Sequence, residues 1–391
     1  MKDLLTRFRG SRRALVSSVT FAAGYALPQP YERWAVLAND EFTAKTPPVS
    51  PAKRLWLYRH GFRRRAAHLY DFERYDPEDY LSDVARYVHA YYLNAPWIDA
   101  IDNKLLCHLL LREFDEHLPT VYGLLKRGQL HPVDTSELRS NSSIGRLLGR
   151  STGPESSVSD GADWVVERLR ADGRLVCKRY KGGSGKQVLI CAYDGEFSVN
   201  QERCSESEIR SQISELEDYL VTEYVPQASY AADIYDGSIN TMRVLTMYDE
   251  QAGEAFVPIA THRLGTARSG ALDNFSQGGL SIGVDPDSGT FGPGVQYLPP
   301  DSPKKFENHP DTGERIAGVS VPGWDTIKAR MIEIAERLSY IPYIGWDLVV
   351  IGEGEFVIIE ANNNSSAMIQ IHKPLLRDER TRQFYERHGV I

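Results

Sequence analysis

The segment that decides the fold lies near the C-terminus and reads GWDLVVIGEGEFVIIEAN, residues 345–362. Two apolar runs flank a glycine-containing turn, which is the pattern of a β-hairpin. Because side chains alternate between the faces of a strand, Glu360 and Asn362 share a face, and Asp347 on the partner strand can meet them. Two carboxylates and an amide oxygen suit Mg²⁺ when phosphates and waters complete its shell. The alternative is that these acids only close two apolar strands.

A glycine-rich segment reads KRYKGGSGKQ, residues 178–187, between predicted strands at 175–178 and 188–191. Glycines let backbone N–H groups approach phosphate oxygens, and nearby lysines would neutralise their charge. The segment is not a P-loop, because Tyr180 replaces the first glycine and Gln187 replaces the Ser or Thr that reaches Mg²⁺. It also precedes a strand rather than a helix. A solvent-exposed turn remains the alternative.

Strand and helix patterns alternate along the rest of the chain without a regular parallel repeat, which favours an α+β fold. Asp102 is the predicted N-cap of a helix that carries Lys104. Residues 1–95 read as mostly helical and rich in aromatics and arginine. We therefore predict a helical N-terminal region (1–95), a first subdomain with the glycine-rich loop (96–225) and a second subdomain with the metal site (226–391).

The composition limits the classes of function. The 391 residues carry a formal net charge of -8, which argues against a protein that binds nucleic acid. Four cysteines without a CxxC pair indicate a reduced, cytoplasmic protein. No apolar run is long enough for a transmembrane helix, and no cleaved signal peptide is expected. Basic residues cluster in the first fourteen positions and between Lys53 and Arg65. Each cluster is interpreted as a solvated helix face, with a site for an anionic substrate or a contact with a membrane surface as the alternatives.

Together these segments resemble the ATP-grasp superfamily, in which two α+β subdomains clamp ATP. Residues 347–362 are similar to the metal-binding end of D-alanine–D-alanine ligase and its relatives. Lys178 resembles the lysine that precedes the glycine-rich loop. Residues 103–106, followed by 118–120, resemble a lysine-bearing helix that ends in "LPTP", although Val121 replaces the second proline. Residues 220–225 resemble the hinge strand that contacts adenine and ribose.

Within that superfamily, the chain resembles the sugar-transfer-associated ATP-grasp proteins. The resemblance rests on residues 238–244 (SINTMRV), 263–265 (RLG) and 273–279 (DNFSQGG), and it covers about residues 95–375. The Rossmann-like pre-domain of many ATP-grasp ligases is not evident in residues 1–95. The resemblance implies a ligase that activates a small-molecule carboxylate as an acyl phosphate and joins it to an amine or similar nucleophile through a C–N bond, releasing ADP and phosphate.

Cell-surface polysaccharide and small-peptide biosynthesis are the pathways that the resemblance suggests. An ATP-dependent phosphotransferase and a non-catalytic nucleotide-binding protein are the alternatives. The implied cofactors are ATP and one or two Mg²⁺ ions, with Mn²⁺ as a substitute. The implied metal ligands are Asp347, Glu360 and Asn362. The residues expected to contact ATP are Lys104, Lys178, Gly182, Gly183, Ser184, Gly185, Glu223, Tyr224 and Val225.

Arg243 and Lys178 are the expected catalytic cations, which would neutralise phosphoryl charge. A surface strand arginine is the alternative for Arg243. The residues expected to bind the carboxylate, the acceptor or a phosphate are Asn240, Arg263, Asp273 and Asn274, with a mobile structural loop as the alternative for the last three. His262 is a candidate base, although a satisfied strand histidine is favoured. Cys177 should point into the core, because it precedes Lys178 on the same strand.

Overall fold

The computed structural model describes residues 31–133, 158–182, 187–299, 301–365 and 367–391. Its α-helices are α1 Tyr31–Thr43, α2 Pro51–Arg59, α3 Ala66–Leu69, α4 Ile98–Asp102, α5 Lys104–Leu110, α6 Gly161–Asp172, α7 Glu206–Ser214, α8 Ser229–Ala232, α9 Trp324–Arg337 and α10 Glu379–Arg387. A π-helix spans Ala85–His89, and 3₁₀ helices span Pro77–Asp79, Ala90–Tyr92, Arg112–His117, Phe275–Gln277, Ala367–Gln370 and Leu375–Arg377.

The strands are β1 Val121–Lys126, β2 Gln129–Pro132, β3 Ser159–Asp160, β4 Arg174–Arg179, β5 Val188–Tyr193, β6 Phe197–Val199, β7 Glu202–Cys204, β8 Tyr219–Glu223, β9 Met242–Asp249, β10 Glu254–Leu264, β11 Leu280–Val284, β12 Phe291–Gln296, β13 Lys304–Phe306, β14 Tyr343–Gly352 and β15 Glu355–Asn362.

Two antiparallel sheets organise the molecule. The first has eight strands in the order β3-β2-β1-β8-β4-β5-β6-β7, and the second has seven in the order β13-β12-β11-β10-β9-β14-β15. Apolar residues of α6 and α7, such as Val165 and Ile209, pack in the core of the first sheet. Residues of α9, such as Met331, pack in the core of the second sheet together with Trp346. The mixture of helices and antiparallel sheets confirms the predicted α+β class.

The C-terminal hairpin has the predicted register. Across β14 and β15, Asp347 lies opposite Glu360, and Gly345 lies opposite Asn362. The neighbouring strand β9 places Arg243 opposite Asp347, and β10 places Thr261 opposite Arg243. Directly opposed residues share a face of a sheet, so these side chains form a continuous row across four strands.

The cap of the lysine-bearing helix differs from the prediction. Asn103, not Asp102, is the N-cap of α5, because its Oδ1 accepts hydrogen bonds from the backbone N–H groups of Leu105 and Leu106. Asp102 ends the preceding helix, and its Oδ1 accepts the N–H of Asn363 at 2.9 Å. The two adjacent polar residues are indistinguishable by pattern, and the tertiary contact with Asn363 decides between them.

Residues on both sides of position 96, the predicted start of the first subdomain, pack against the second sheet. Leu81 and Ala85 from the N-terminal region share a core with Leu245 on the second sheet. Ile101 and Cys107, from the segment assigned to the first subdomain, pack in the other core of the second sheet. The chain enters the first sheet at β1 and leaves it after β8. Local sequence patterns identify helices but do not show which sheet they cover. Residues 136–159 are rich in Ser and Gly, a composition that predicts a mobile loop or a domain boundary, and they lie mostly outside the described residues.

Part of the basic N-terminal run is internal rather than a solvated helix face. Arg63 is buried and pairs with Asp83 at 2.9 Å and with Asp40 at 2.7 Å. Arg65 donates a hydrogen bond to the hydroxyl of Tyr87. These arginines therefore anchor the N-terminal helices to one another. The basic cluster in the first fourteen residues lies outside the described residues.

Within the described parts of the chain, no helix has the length and apolar character needed to cross a membrane.

Candidate active site

A cavity of about 470 Å³ lies between the two sheets. Its polar lining comes from both sheets, from α5 and from the segments that follow β10 and β15: Lys104, Lys178, Thr222, Glu223, Thr241, Arg243, Thr261, Arg263, Asp273, Asn274, Ser276, Ser281, Asp347, Glu360, Asn362 and Asn364. Val176, Ile190 and Val225 add apolar surface near Glu223. The cavity thus combines four cationic side chains with four acids and an apolar end.

Two lysines from different segments converge on the end of β15. Lys104 Nζ donates to Gly182 O at 2.8 Å and lies 3.2 Å from Glu360 Oε2. Lys178 Nζ crosses from the first sheet to donate to the carbonyl of Ile359 at 3.1 Å. Burial, reinforced by the positive charge of Lys104, lowers the pKa of Lys178 to about 8. Both ammonium groups therefore face one point in the cavity.

Asp347 is held by two arginines. Arg243 donates from Nε and Nη2 to the two carboxylate oxygens, and Arg263 Nη2 lies 2.9 Å from Asp347 Oδ2. Burial alone would raise the pKa of Asp347, but the charges of Arg243 and Arg263 outweigh it and lower the pKa to about 2. The carboxylate is therefore ionised at neutral pH, and both guanidinium groups are fixed on the cavity face.

The oxygen donors at this point fit a divalent cation. Glu360 and Asn362 both line the cavity. Asn362 Nδ2 donates to Gly345 O at 3.3 Å, which directs the amide oxygen Oδ1 away from that carbonyl. A carboxylate offers about four lone-pair sites, so Asp347 keeps one for a metal after accepting three N–H donors. No cluster of three or more His, Cys, Asp or Glu side chains suited to a metal occurs among the described residues. Asp347, Glu360 and Asn362 would thus supply only part of the shell of a Mg²⁺ ion, and phosphates and water would have to supply the rest.

The candidate substrate residues divide into two groups. Arg263, Asp273 and Asn274 line the cavity. Asp273 Oδ2 accepts the N–H of Thr241 at 2.8 Å and lies 3.6 Å from Arg263 Nε. Asn274 caps the 3₁₀ turn that follows, by accepting from Ser276 N. This segment is therefore fastened to β9 by Asp273.

Asn240 is absent from the residues that line the cavity, contrary to the expectation that it faces a metal or phosphate. Its Oδ1 accepts from Ser238 Oγ and Gly265 N, and its Nδ2 donates to Tyr235 O. Thr241 and Arg243 face the cavity, and alternation along the chain turns Asn240 to the other side. Asn240 braces the backbone beneath the site.

The hinge segment lies at the apolar end of the cavity. Glu223 and Val225 line it, and Glu223 Oε1 accepts the N–H of Thr120 at 2.8 Å. The ring of Tyr224 lies outside the cavity, below the guanidinium of Arg174 at 5.0 Å. Tyr224 itself therefore does not line this cavity, unlike Glu223 and Val225 on either side of it. Gly182 is placed by its contact with Lys104, whereas Gly183, Ser184 and Gly185 lie outside the described residues.

His262 is a satisfied strand histidine, as favoured above. Its ring is fully buried and hydrogen-bonds to the hydroxyl of Tyr230 at 2.8 Å and to Arg263 O at 3.0 Å. Burial lowers the pKa of His262 to about 3, so the ring is neutral. Cys177 is buried in the core of the first sheet. Neither side chain lines the cavity.

The hydroxyl residues of the cavity were not identified from the sequence as site residues, among them Thr241, Thr261 and Ser281. Thr241 and Thr261 each lie two positions from a predicted arginine, so strand alternation places them beside Arg243 and Arg263. That signal was present in the sequence. Ser281 had no comparable signal, because its partner His372 lies far along the chain.

Comparison with known proteins identifies the family of the chain. The family model described as sugar-transfer associated ATP-grasp matches residues 84–383. A search among curated proteins finds no match. The chain is similar to a solved structure of the ATP-grasp ligase PsnB with a minimal precursor, at 13% identity and a TM-score of 0.34, over 70% of this chain and 56% of PsnB.

A second structure of PsnB, with a phosphomimetic precursor variant, Mg and ADP, matches at 11% identity and a TM-score of 0.31, over 70% and 53% of the two chains. The D-alanine-D-alanine ligase from Coxiella burnetii matches at 10% identity and a TM-score of 0.34, over 74% of this chain and 59% of the ligase. The chain thus spans less than two thirds of the length of each of these proteins.

Proposed function

Since the chain belongs to the sugar-transfer associated ATP-grasp family and has its fold, we propose that it is an ATP-dependent ligase. In this proposal it activates a small-molecule carboxylate as an acyl phosphate and transfers the acyl group to an amine or similar nucleophile. ADP and phosphate are released, and a C–N bond forms.

One observation carries the proposal. Lys104 and Lys178 reach the same end of β15 from separate segments, beside the row formed by Glu360, Asp347 and Arg243. A purely structural cluster would leave no cavity between these charges, whereas here they line one of about 470 Å³. Convergent cations beside hard oxygen donors are the arrangement that binds and neutralises a metal-bound polyphosphate.

Each residue has a proposed role in that arrangement. Lys104 and Lys178 bind phosphate oxygens of ATP, and Val225 binds the base. Glu360 and Asn362, with the remaining lone pair of Asp347, hold Mg²⁺, which when bound neutralises phosphate charge and polarises the transferred phosphoryl group. Arg243 and Arg263 face the position of the acyl phosphate. Gly182, whose carbonyl oxygen accepts a hydrogen bond from Lys104, would help to exclude water from it.

The proposed activity is tested by trapping. The protein is incubated with Mg-ATP, hydroxylamine and a pool of proteinogenic amino acids, D-alanine and dicarboxylic acids, and the products are read by mass spectrometry. Hydroxylamine converts an acyl phosphate to a hydroxamate, whose mass identifies the carboxylate. We expect a hydroxamate that depends on both Mg²⁺ and Glu360.

Two other outcomes would contradict the ligase function. ADP with a stable phosphorylated product and no hydroxamate would indicate a phosphotransferase. Absence of any Mg-dependent ATP turnover with this pool would indicate a protein that only binds nucleotide.

A further inference from the structure

Ser281 and His372 form a hydrogen-bonded pair that the roles above leave unassigned. Ser281 Oγ lies 3.0 Å from His372 Nε2. Ser281 lines the cavity from β11, whereas His372 follows the 3₁₀ turn Ala367–Gln370. The pair therefore joins the cavity wall to a segment behind it.

The position of the pair in the sheet separates it from the metal ligands. Ser281 lies opposite Arg263 across β10 and β11, so the two side chains share the cavity face. The strand order β11-β10-β9-β14-β15 places Ser281 and Glu360 on opposite sides of the arginines. A nucleophile that approaches an acyl phosphate bound at Arg263, from the side away from the metal, would meet Ser281.

The fold makes room for the imidazole at one particular position. A Cβ at Gly283 would lie 2.9 Å from His372 Cβ and 3.0 Å from Cγ, which is closer than side chains pack. Gly283 shares the face of Ser281, because it lies two residues further along β11. Strand β11 therefore positions the imidazole in two ways: Ser281 forms a hydrogen bond with it, and Gly283, two residues further along, leaves space for it.

The electrostatic environment keeps the imidazole neutral. Burial, together with the positive charge of Lys305, lowers the pKa of His372 to about 4. The ring is therefore neutral, and in the tautomer that carries its proton on Nδ1, Nε2 accepts a hydrogen bond from Ser281 Oγ. No described residue forms a hydrogen bond with Nδ1, and the residue, although mostly covered, keeps some exposure to solvent. A proton taken up by the ring has a route to solvent.

We propose that Ser281 and His372 relay a proton away from the acceptor amine, an inference that rests on the ligase function proposed above. An ammonium group has no lone pair and cannot attack. Its proton passes to Ser281 Oγ as the hydroxyl proton passes to His372 Nε2 and the ring releases its Nδ1 proton to solvent, so that no imidazolium has to persist. The free amine then attacks the acyl carbon, the C–N bond forms, and the C–O bond to phosphate breaks. The second amine proton leaves with the phosphate.

The test compares two nucleophiles of equal size. Hydroxylamine is mostly unprotonated at neutral pH, whereas methylamine is almost entirely protonated and needs a base. Unaltered protein, Ser281→Ala and His372→Asn are given Mg-ATP, the carboxylate pool above and either nucleophile. We expect both variants to keep hydroxamate formation within a few-fold but to lose N-methylamide formation by about 100-fold or more. Raising the pH towards the pKa of methylamine should narrow that loss.

Matched variants separate the relay from simple misfolding. His388→Asn removes a histidine of α10 whose Nδ1 contacts Phe384 O, so both products should be unchanged. Gly283→Ala should displace the imidazole and reproduce the selective loss.

Each remaining outcome overturns the inference. Equal loss of hydroxamate and N-methylamide, no loss of either, or no N-methylamide from the unaltered protein would overturn the relay while leaving the ligase function intact. No hydroxamate from the unaltered protein would overturn the ligase function, and the relay with it.

Discussion

Glu360 occupies the point where the metal, Lys104 and the transferred phosphoryl group would meet. We expect Glu360→Gln to lower kcat by at least about 100-fold, because it removes a charged ligand from the proposed Mg²⁺ site. Folding should change little, since the side chain lines the cavity and the amide keeps its volume. ADP release under saturating Mg-ATP measures the effect.

Glu355→Gln is the matched control, because Glu355 is exposed at the start of the same strand. Near-unchanged turnover in Glu360→Gln would contradict the metal assignment.

Lys178 titrates in an accessible range. With a pKa of about 8 against an ordinary 10.5, the free protein carries the ammonium below pH 8 and loses it above. Affinity for ATP should therefore be flat below pH 8 and fall by up to about tenfold per unit above it. Calorimetric titration with Mg-ATP between pH 7 and about 9.5 measures this.

Lys178→Arg supplies the control for that titration. A guanidinium stays charged throughout this range, so the decline should disappear. The same depressed pKa means that the unfolded chain binds more protons between pH 8 and 10.5, so the contribution of Lys178 to stability rises with pH in that window. An affinity that declines equally in both proteins would refute the assignment.

Strands β9, β10 and β14 are joined through one carboxylate as well as through their backbones. Asp347→Asn would leave the buried guanidinium of Arg243 without its carboxylate partner and would leave Arg263 with Asp273 alone, 3.6 Å away. We expect the free energy of unfolding to fall by about 3–5 kcal/mol, as when one partner of a buried ion pair is removed. Calorimetric unfolding measures the change.

Asp325→Asn is the comparison, because this acid is largely exposed in the first turn of α9. A loss of under about 1 kcal/mol in Asp347→Asn would mean that the arginines do not depend on Asp347 for their charge balance. Loss of activity without loss of stability would instead assign Asp347 mainly to the metal.

At the scale of helices and strands, features that depend on local sequence could be predicted, whereas features that depend on distant partners could not. The hairpin β14–β15 and its shared face were predictable, because strand alternation and a glycine turn are local signals. The orientation of Asn240 was predicted wrongly, although the sequence shows that it lies three positions before Arg243 and so, by strand alternation, points to the opposite face. The partners of Asp347 and Ser281 lie on other strands and segments, so their pairing depends on register. Within a hairpin the turn helps to set the register, but the alignment of strands that are distant in the chain depends on the folded sheet and is not specified by local sequence patterns.

At the scale of the whole molecule, the N-terminal helices are part of the second sheet's packing. Gln370 accepts the N–H of Leu81 and donates to its carbonyl, and Arg86 donates to Ser365 O. We expect a chain that begins at residue 96 to aggregate, because apolar residues such as Leu245 lose their cover. Size-exclusion chromatography and calorimetry, with the full chain as control, test this. A soluble monomer with a cooperative transition would show that the N-terminal region is dispensable.

The contact between Lys104 and Glu360 has a thermodynamic consequence. The ammonium group acts as a built-in counter-ion for the carboxylate, so an arriving divalent cation competes with it. Phosphate oxygens that attract Lys104 relieve this competition, and a cation on Glu360 frees Lys104 for phosphate. Because such coupling is reciprocal, each ligand strengthens the binding of the other by the same factor. The pair thus favours entry of metal and nucleotide as a single complex over stepwise loading.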